Sequence, residues 1–358
     1  MATRKLKQLV KLMFVFTLFK YSHGENTTCK GGFQNCICTT KVVECHGESQ
    51  LRGNNIINLY SDIDDHCERI TITHSNFSAL QNNLFGSCHD APDLVLYNMA
   101  YVELSNDNIK TIHGKTFHCI PNLQTLILSN NQWEIDRSDS EVGYFTSMPH
   151  LKHLDLSNAF EDGSIFFNKL AHIFHDTDLT ELEDLNLSYN EFIVLSRKSS
   201  TSLCQLTSLK LLNLSHNYFM EQSMPNKVDC FKHLERLDLS YNNIKLLSPE
   251  FMQAVDILHQ AYDKLQEVKL DNNPYRCDCE LIATWEWLNT TKSPVNKNEM
   301  FCGRDSYRSS YIGKRILDLK PEELLCQQIE AYSNRGSRVV TGIIFTQITM
   351  LIMTLYNL

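Results

Sequence analysis

The sequence lacks the short motifs that identify common catalytic and nucleotide-binding sites. None of G-x-S-x-G, H-E-x-x-H or a phosphate-binding glycine loop occurs in it. It also lacks an excess of positive charge, because outside the first 24 and last 24 residues 26 basic side chains stand against 42 acidic ones, with no basic stripe. Nucleic acid binding depends on Lys and Arg. The sequence therefore predicts neither an enzyme nor a nucleic-acid-binding protein, and it predicts no cofactor.

What the sequence does contain is a recurring apolar pattern. The stretch from Leu206 to Phe219 follows L-x-x-L-x-L-x-x-N-x-L, with Asn217 at the asparagine position. The central L-x-L is a short strand whose leucines face one way. Seven further units fit the same pattern, and their first residues are Cys67, Met99, Leu123, Leu151, Leu182, Leu234 and Leu265. The pattern is typical of a leucine-rich repeat, and it predicts an α/β solenoid with a curved parallel sheet.

The asparagine position varies between repeats. An asparagine amide both donates and accepts, so it can serve backbone groups left open where the chain leaves the strand. Ser75, Asp107 and Ala159 occupy this position in the first, second and fourth repeats, which are therefore less regular. Residues 134–150 and 160–180 lengthen the third and fourth repeats, and insertions of this kind become surface loops that often bind ligands. In the second insertion His172, His175 and Asp176 lack further metal ligands at a recognisable spacing, so no metal site is predicted.

The start of the chain and the cysteines indicate secretion. Basic residues precede an apolar run at 12–19, which predicts a signal peptide over 1–24. In a secreted chain, 13 cysteines favour disulfides over zinc. Cys88 and Cys119, and likewise Cys204 and Cys230, lie one repeat apart at equivalent positions and are predicted to pair. Cys67 takes the place of a repeat leucine and is predicted to be a buried small hydrophobic residue.

Cysteine clusters flank the repeats on both sides. C-x6-C-x-C-x6-C precedes them, and C-D-C followed by two distant cysteines comes after them, with Trp285 and Trp287 on a predicted helix. Both clusters resemble the cysteine caps of extracellular leucine-rich repeat proteins. That resemblance implies the disulfides Cys29–Cys38, Cys36–Cys45, Cys277–Cys302 and Cys279–Cys326, and it implies cap core packing for the two tryptophans.

A closer resemblance is carried by LDNNPYRCDC, by the spacing to FCGRDSYRSSYIGKRILDLKPEELLC, and by an array that is interrupted near its middle. These features are similar to the trophoblast glycoprotein family, cell-surface antagonists of Wnt signalling. The resemblance implies a cell-surface protein without catalytic activity. No functional residue of that family maps onto this chain by motif.

The last twenty residues, 339–358, carry no charge and are long enough to span a bilayer. Arg335 and Arg338 precede the run and no basic residue follows it, which favours a GPI signal over a membrane helix. Asn334 is the predicted attachment site, with Ser333 or Ala331 as alternatives; a C-terminal membrane helix stays the other possibility. Members of the trophoblast glycoprotein family end with a membrane helix and a cytoplasmic tail, whereas this sequence stops inside its apolar run.

Sequons occur at Asn26, Asn76, Asn186, Asn213 and Asn289. Asn186 and Asn213 lie between the paired leucines of consecutive repeats, so strand alternation points both onto the concave face. Sugar there would keep a protein ligand away from the centre, although N-L-S is also a common repeat spelling that need not be glycosylated. The predicted ligand-binding residues are therefore at the ends of the face, together with the 134–150 loop: Glu68, Arg69, His74, Glu103, Lys269 and Asp271.

The sequence thus predicts six segments: a signal peptide at 1–24, an N-terminal cap at 25–66, eight repeats with insertions at 67–276, a C-terminal cap at 277–326, a polar linker at 327–338 and a hydrophobic anchor signal at 339–358. The leading hypothesis is a cell-surface glycoprotein that binds an extracellular protein ligand or receptor and modulates signalling, with the Wnt pathway as the suggested target of antagonism. The alternative is an adhesion or matrix-binding protein of the same fold.

Overall fold

The computed structural model describes residues 29, 33, 36–47, 63–88, 95–135, 143–161, 169–175, 177–194, 197–220 and 228–324. The predicted signal peptide, Asn26, Cys326, Asn334 and the linker and anchor segments lie outside the described residues, as do the middle parts of both insertions. None of the helices in the described residues is long and apolar enough to cross a membrane.

Within the described residues, ten strands form one sheet in the order β1-β2-β3-β5-β7-β8-β9-β10-β11-β12, and β4 and β6 form a separate pair. Only β1 and β2 are antiparallel among these described strands; the other pairs are parallel. The strands are β1 (Ile37–Cys38), β2 (Val42–His46), β3 (Arg69–Thr73), β4 (Ala79–Leu80), β5 (Tyr101–Ser105), β6 (Thr111–Ile112), β7 (Thr125–Ile127), β8 (His153–Asp155), β9 (Asp184–Asn186), β10 (Leu211–Asn213), β11 (Arg236–Asp238) and β12 (Glu267–Lys269).

The predicted leucine-rich repeat solenoid is confirmed, because the strands of the eight repeats pair in register. Leu185, Leu212 and Leu237 are Cα partners on three successive strands, and Val268 continues the same row. These residues and the second leucine of each repeat are buried in one continuous core. A solenoid repeat buries its apolar edge only against its neighbours, so the equal register explains why the sequence repeats its leucines.

In the part of the chain that the structure describes, four α-helices accompany the sheet: α1 (Lys169–Ile173), α2 (Arg197–Leu203), α3 (Pro249–Tyr262) and α4 (Ile282–Thr290). Helix α3 begins where Ser248 accepts a hydrogen bond from the backbone N–H of Phe251, with Pro249 at its first position. Its buried residues Phe251, Val255 and Leu258 recur at four- and three-residue spacing, which is the mark of a helix with one face in the core.

The polar ladder beneath the strands explains the recurring asparagine. Asn217 accepts hydrogen bonds from the backbone N–H groups of Asn190 and Phe192, at 3.0 and 3.1 Å. Its amide nitrogen donates to the carbonyls of Leu187 and Leu214, both at 3.0 Å. Each such asparagine is buried and joins its own repeat to the preceding one. Asn131, Asn190, Asn242 and Asn273 bond in the same way.

Disulfides seal both ends of the array and two places within it. The structure contains Cys29–Cys38 and Cys36–Cys45 in the N-terminal cap and Cys277–Cys302 in the C-terminal cap. Cys279 is also disulfide-bonded, while its predicted partner Cys326 lies outside the described residues. Within the array the disulfides are Cys88–Cys119 and Cys204–Cys230. Cys67 is a buried free thiol, and burial raises its pKa to about 11.

The C-terminal cap is tied to helix α3 through one carboxylate. Asp256 accepts hydrogen bonds from the indole N–H of Trp287 at 2.8 Å and from the hydroxyls of Thr291 and Ser293. The indole N–H of Trp285 donates to the carbonyl of Leu319 at 2.9 Å. Both tryptophans of α4 therefore serve the packing of the cap.

Candidate functional site: the concave face of the sheet

The concave face consists of the residues that alternate with the buried leucines on strands β3 to β12. In each three-residue strand the first and third residues are partly or fully exposed and the middle one is buried. A depression lies along this face across β7 to β12, and its lining includes Thr125, His153, Asp184, Arg236 and Lys269. The face is therefore a continuous surface that carries both polar and apolar side chains.

At the N-terminal end of the face, four side chains form one connected group. The guanidinium of Arg69 lies over the ring of Tyr101, 3.6 Å from its centroid. The Tyr101 hydroxyl donates to Glu103 at 2.8 Å, and the Ser105 hydroxyl donates to the same carboxylate at 3.0 Å. Burial, followed by the hydrogen bond to Glu103, raises the pKa of Tyr101 to about 12. Tyr101 therefore remains a hydrogen-bond donor at physiological pH.

The other predicted binding residues of this end lie beside that group. Glu68 is exposed and pairs with Lys41 of the cap at 2.6 Å. His74 follows β3, is exposed, and has a left-handed backbone with φ of 60°. The structure thus gathers Glu68, Arg69, His74 and Glu103 on the first two repeats.

Lys269 and Asp271 occupy the opposite end. Lys269 lies 3.4 Å from Asp238, and Asp271 accepts a hydrogen bond from Asn296 of the C-terminal cap. Seven strand spacings separate β3 from β12, which amounts to roughly 34 Å along the sheet. The six predicted binding residues therefore form two separate groups and do not converge on one site.

Two charged pairs on the face lie outside the predicted binding residues. His153 lies 3.7 Å from Asp184 at the centre of the face, and Arg236 lies 3.9 Å from Glu267 towards its C-terminal end. Burial raises the pKa of Asp184 above its usual value, while the neighbouring His153 opposes that shift. These charged residues could have been found from the sequence, because the strand triplets HLD, DLN, RLD and EVK each carry a charged residue at an outward position.

Asn186 and Asn213 lie side by side in this central region. They are Cα partners on β9 and β10 and are half-buried. Their amide oxygens accept hydrogen bonds from the backbone N–H groups of Ser188 at 3.2 Å and Ser215 at 3.0 Å. These bonds use the amide oxygen, whereas glycosylation modifies the amide nitrogen. The geometry thus leaves both sequons as predicted acceptor sites.

The remaining predicted sites are distributed over other surfaces. Asn76 is exposed beyond β3, and Asn289 is exposed near the end of α4, where its amide donates to the carbonyl of Trp285 at 2.8 Å. His172 belongs to α1 and His175 follows it, while Asp176 lies outside the described residues. Within the described ranges no group of three or more His, Cys, Asp or Glu is placed to hold a metal ion.

Comparison with known proteins agrees with this architecture. The sequence profile of the Leucine Rich Repeat family matches residues 233–254. Trophoblast glycoprotein of Macaca fascicularis is 24% identical over 87% of this chain and 72% of its own length, and that of Mus musculus is 25% identical over 88% and 74%. Human oligodendrocyte-myelin glycoprotein is 26% identical over 73% of this chain, which spans half of that protein.

The solved structures give the same result for the fold. The crystal structure of human trophoblast glycoprotein, also named Wnt-activated inhibitory factor 1, matches with a TM-score of 0.66 and 24% identity, over 84% of this chain and all of that one. The chain has a leucine-rich repeat fold with disulfides in the caps at both ends, and it is similar to trophoblast glycoprotein.

Proposed function

We propose that this chain is a non-catalytic cell-surface glycoprotein that binds an extracellular protein ligand or receptor through its concave face and thereby modulates signalling. The observation that carries the proposal is the face itself. Eight parallel strands present rows of outward side chains on a disulfide-capped scaffold. Such an extended surface suits a protein partner better than a small ligand, which prefers an enclosed pocket.

Wnt antagonism is the first activity to test, because one of the similar proteins is named Wnt-activated inhibitory factor 1. Cells that express the full chain should give a lower Wnt-reporter response than control cells that carry the same vector without it. An unchanged response at verified surface expression would exclude Wnt antagonism. An unbiased screen of extracellular proteins for binding to the displayed chain then tests the broader proposal, which fails if no protein binds.

The two ends of the face are the proposed contact regions. The group around Glu103 and the pair Lys269–Asp238 both carry partly exposed charge. Charge reversal by Glu103→Lys or Lys269→Glu should weaken ligand binding, since reversed charges oppose the partner's potential. Asn186→Gln is the matched control in the centre, and it should weaken binding less. If Asn186→Gln alone abolishes binding by folded protein, the centre of the face is the contact region.

We also propose that the apolar segment 339–358 is a GPI signal with attachment at Asn334. Treatment of intact cells with phosphatidylinositol-specific phospholipase C should release the protein into the medium. Retention on the cells would identify a membrane helix instead. A cell-aggregation assay distinguishes the adhesion alternative from the proposed function, because a signalling modulator does not cluster cells on its own.

A further inference from the structure

Three aromatic rings stack in a row where strands β9, β10 and β11 end. The ring of His216 lies between those of Tyr189 and Tyr241, with centroids 4.1 and 4.2 Å apart and planes 9° from parallel on each side. The tyrosines are 53% and 49% exposed. We refer to Tyr189, His216 and Tyr241 as the aromatic edge. Its rings do not belong to the core.

The backbone at the two tyrosine positions favours a different residue. Tyr189, His216 and Tyr241 have φ of 61°, 54° and 55°, in the left-handed region. The same position in the five other repeats is also left-handed, and it is occupied by His74 in the first repeat and by Asn106, Asn130, Asn158 and Asn272 in the others. Asparagine and histidine enter this region more readily than other residues, whereas a bulky tyrosine is strained there. Folding alone therefore favours asparagine or histidine, and the two tyrosines need another explanation.

His216 occupies the inner side of each tyrosine of the aromatic edge, and the strand register places Asn158 and Asn272 on the outer sides. An asparagine side chain is shorter than a tyrosine ring, and about half of each tyrosine is exposed. Among the described residues, the cations that lie over aromatic rings are Arg69, Arg308 and Lys314, and their rings are those of Tyr101 and Tyr311. Arg69 over Tyr101 shows, on the same sheet, how a guanidinium covers a tyrosine face. The outer faces of Tyr189 and Tyr241 can accept a cation from another molecule in the same way.

The charge beside the aromatic edge also favours a cation. Strands β8 to β12 carry four carboxylates, on Asp155, Asp184, Asp238 and Glu267, against the two fixed positive charges of Arg236 and Lys269. The whole chain has a formal net charge of −9. A basic segment of a partner would therefore be attracted to this region, and the tyrosine faces would hold its side chains by cation–π contact.

We propose that the aromatic edge is a docking site for an arginine-bearing segment of a protein partner, with a guanidinium stacked on the outer face of Tyr189 or Tyr241. The inference rests on the proposed function, since it specifies a partner chemistry for the protein binding suggested above, and it adds a contact region beside the central repeats to the two at the ends of the concave face. Arginine is preferred to lysine because its planar, weakly hydrated guanidinium stacks on an aromatic face, whereas the ammonium of lysine is compact and strongly hydrated.

The test compares two peptides of equal charge, nona-arginine and nona-lysine, by fluorescence anisotropy with the detergent-solubilised full chain at about 0.15 M salt. The critical variant is Y189N/H216N/Y241N, which installs the residue that other repeats use at this position. The ratio of the nona-lysine Kd to the nona-arginine Kd should fall by about two- to five-fold in this variant, the value of one exposed cation–π contact. Thermal unfolding should show a Tm equal to or above that of the wild type.

The control variant Tyr97→Asn removes another exposed tyrosine, away from the aromatic edge, and should leave the ratio unchanged. The proposal is overturned if the triple variant keeps the wild-type ratio, or if its Tm falls, which would show that the rings serve folding. Neither outcome depends on the native ligand. A failed ligand screen with an intact peptide preference would therefore count against the proposed function alone.

Discussion

The first four repeats and the last four hold neighbouring turns together by different means. From Asn190 to Asn273, every repeat contributes a buried asparagine whose amide bonds the backbone of the repeat before it. In the first half only Asn131 does so fully, and Ser75, Asp107 and Ala159 stand at the other positions. One fold thus tolerates two ways of satisfying its backbone.

The first half compensates with direct backbone pairing and aromatic packing. Where Ala159 supplies no amide, the N–H of Asn131 donates to the carbonyl of Asn158 at 3.0 Å and that of Trp133 to Ala159 at 2.8 Å. The ring of Trp133 stacks on Phe160 at 5.4 Å and meets Tyr144 edge-on at 4.8 Å. Where a repeat lacks the asparagine side chain, backbone carbonyls of that repeat can therefore accept the hydrogen bonds of the preceding repeat's N–H groups instead.

The largest expected effect breaks the amide ladder in the second half. Asn217→Ala leaves the buried N–H groups of Asn190 and Phe192 without their acceptor, while the carbonyls of Leu187 and Leu214 keep the amides of Asn190 and Asn242 as donors. Each unpaired N–H costs about 1–3 kcal/mol, so the free energy of unfolding should fall by at least about 2 kcal/mol. Ser75→Ala, at the equivalent position, should change it by less than about 0.5 kcal/mol, because the Ser75 hydroxyl makes no hydrogen bond among the described residues. Urea unfolding of both variants measures the contrast; equal losses would refute it.

A second experiment converts one type of position into the other. Asp107 accepts from the backbone N–H of Ser75 at 2.7 Å through one oxygen, while its buried second oxygen has no hydrogen-bond partner in the described structure. Burial raises the pKa of Asp107 from 3.8 to about 8. The folded state therefore holds a proton that the unfolded state releases, and stability that is complete below pH 3.8 is lost as the pH rises towards 8.

Asp107→Asn removes this titration and supplies an amide donor. Relative to the variant, the wild type should lose up to about 1.4 kcal/mol of unfolding free energy per pH unit between these two values. Asn131→Asp is the matched reverse change and should introduce the same dependence. Chemical denaturation from pH 4 to pH 8 provides the measurement. A difference between wild type and Asp107→Asn that does not vary with pH would show that Asp107 titrates normally.

The smallest effect compares arginines at the two ends of the concave face. Arg69→Ala removes the cation–π contact with Tyr101 and should lower the free energy of unfolding by about 0.5–1 kcal/mol. Arg236→Ala removes an exposed pair with Glu267 and should cost less than about 0.5 kcal/mol. Thermal unfolding at low and high salt separates them, since only the exposed pair is strongly screened. If Arg236→Ala lowers the free energy of unfolding more than Arg69→Ala does, the exposed ion pair is the stronger of the two interactions and this prediction is wrong.

The sequence predicted the repeat strands well because each unit repeats the same local signal. Leu212 and Leu237 occupy the same register position in space as in the pattern. The outward residues at the two ends of the concave face were predicted from strand alternation in the same way. The sequence could not predict features that depend on backbone conformation or on the surroundings of a side chain. Examples are the left-handed backbone of Tyr189 and His216 and the raised pKa of Asp107. The central pair His153 and Asp184 was missed because the centre was assigned to sugar.

The positions of the tryptophans make intrinsic fluorescence a probe of two separate regions of the protein. The chain contains three tryptophans. Trp133 is fully buried where the asparagine ladder is interrupted, and Trp285 and Trp287 lie in the C-terminal cap. Their emission therefore reports on two separate places without added labels. In a variant with phenylalanine at both cap tryptophans, the fluorescence of Trp133 follows the middle of the array alone, so a denaturation curve recorded at that residue distinguishes a solenoid that melts as one unit from one that opens at its middle.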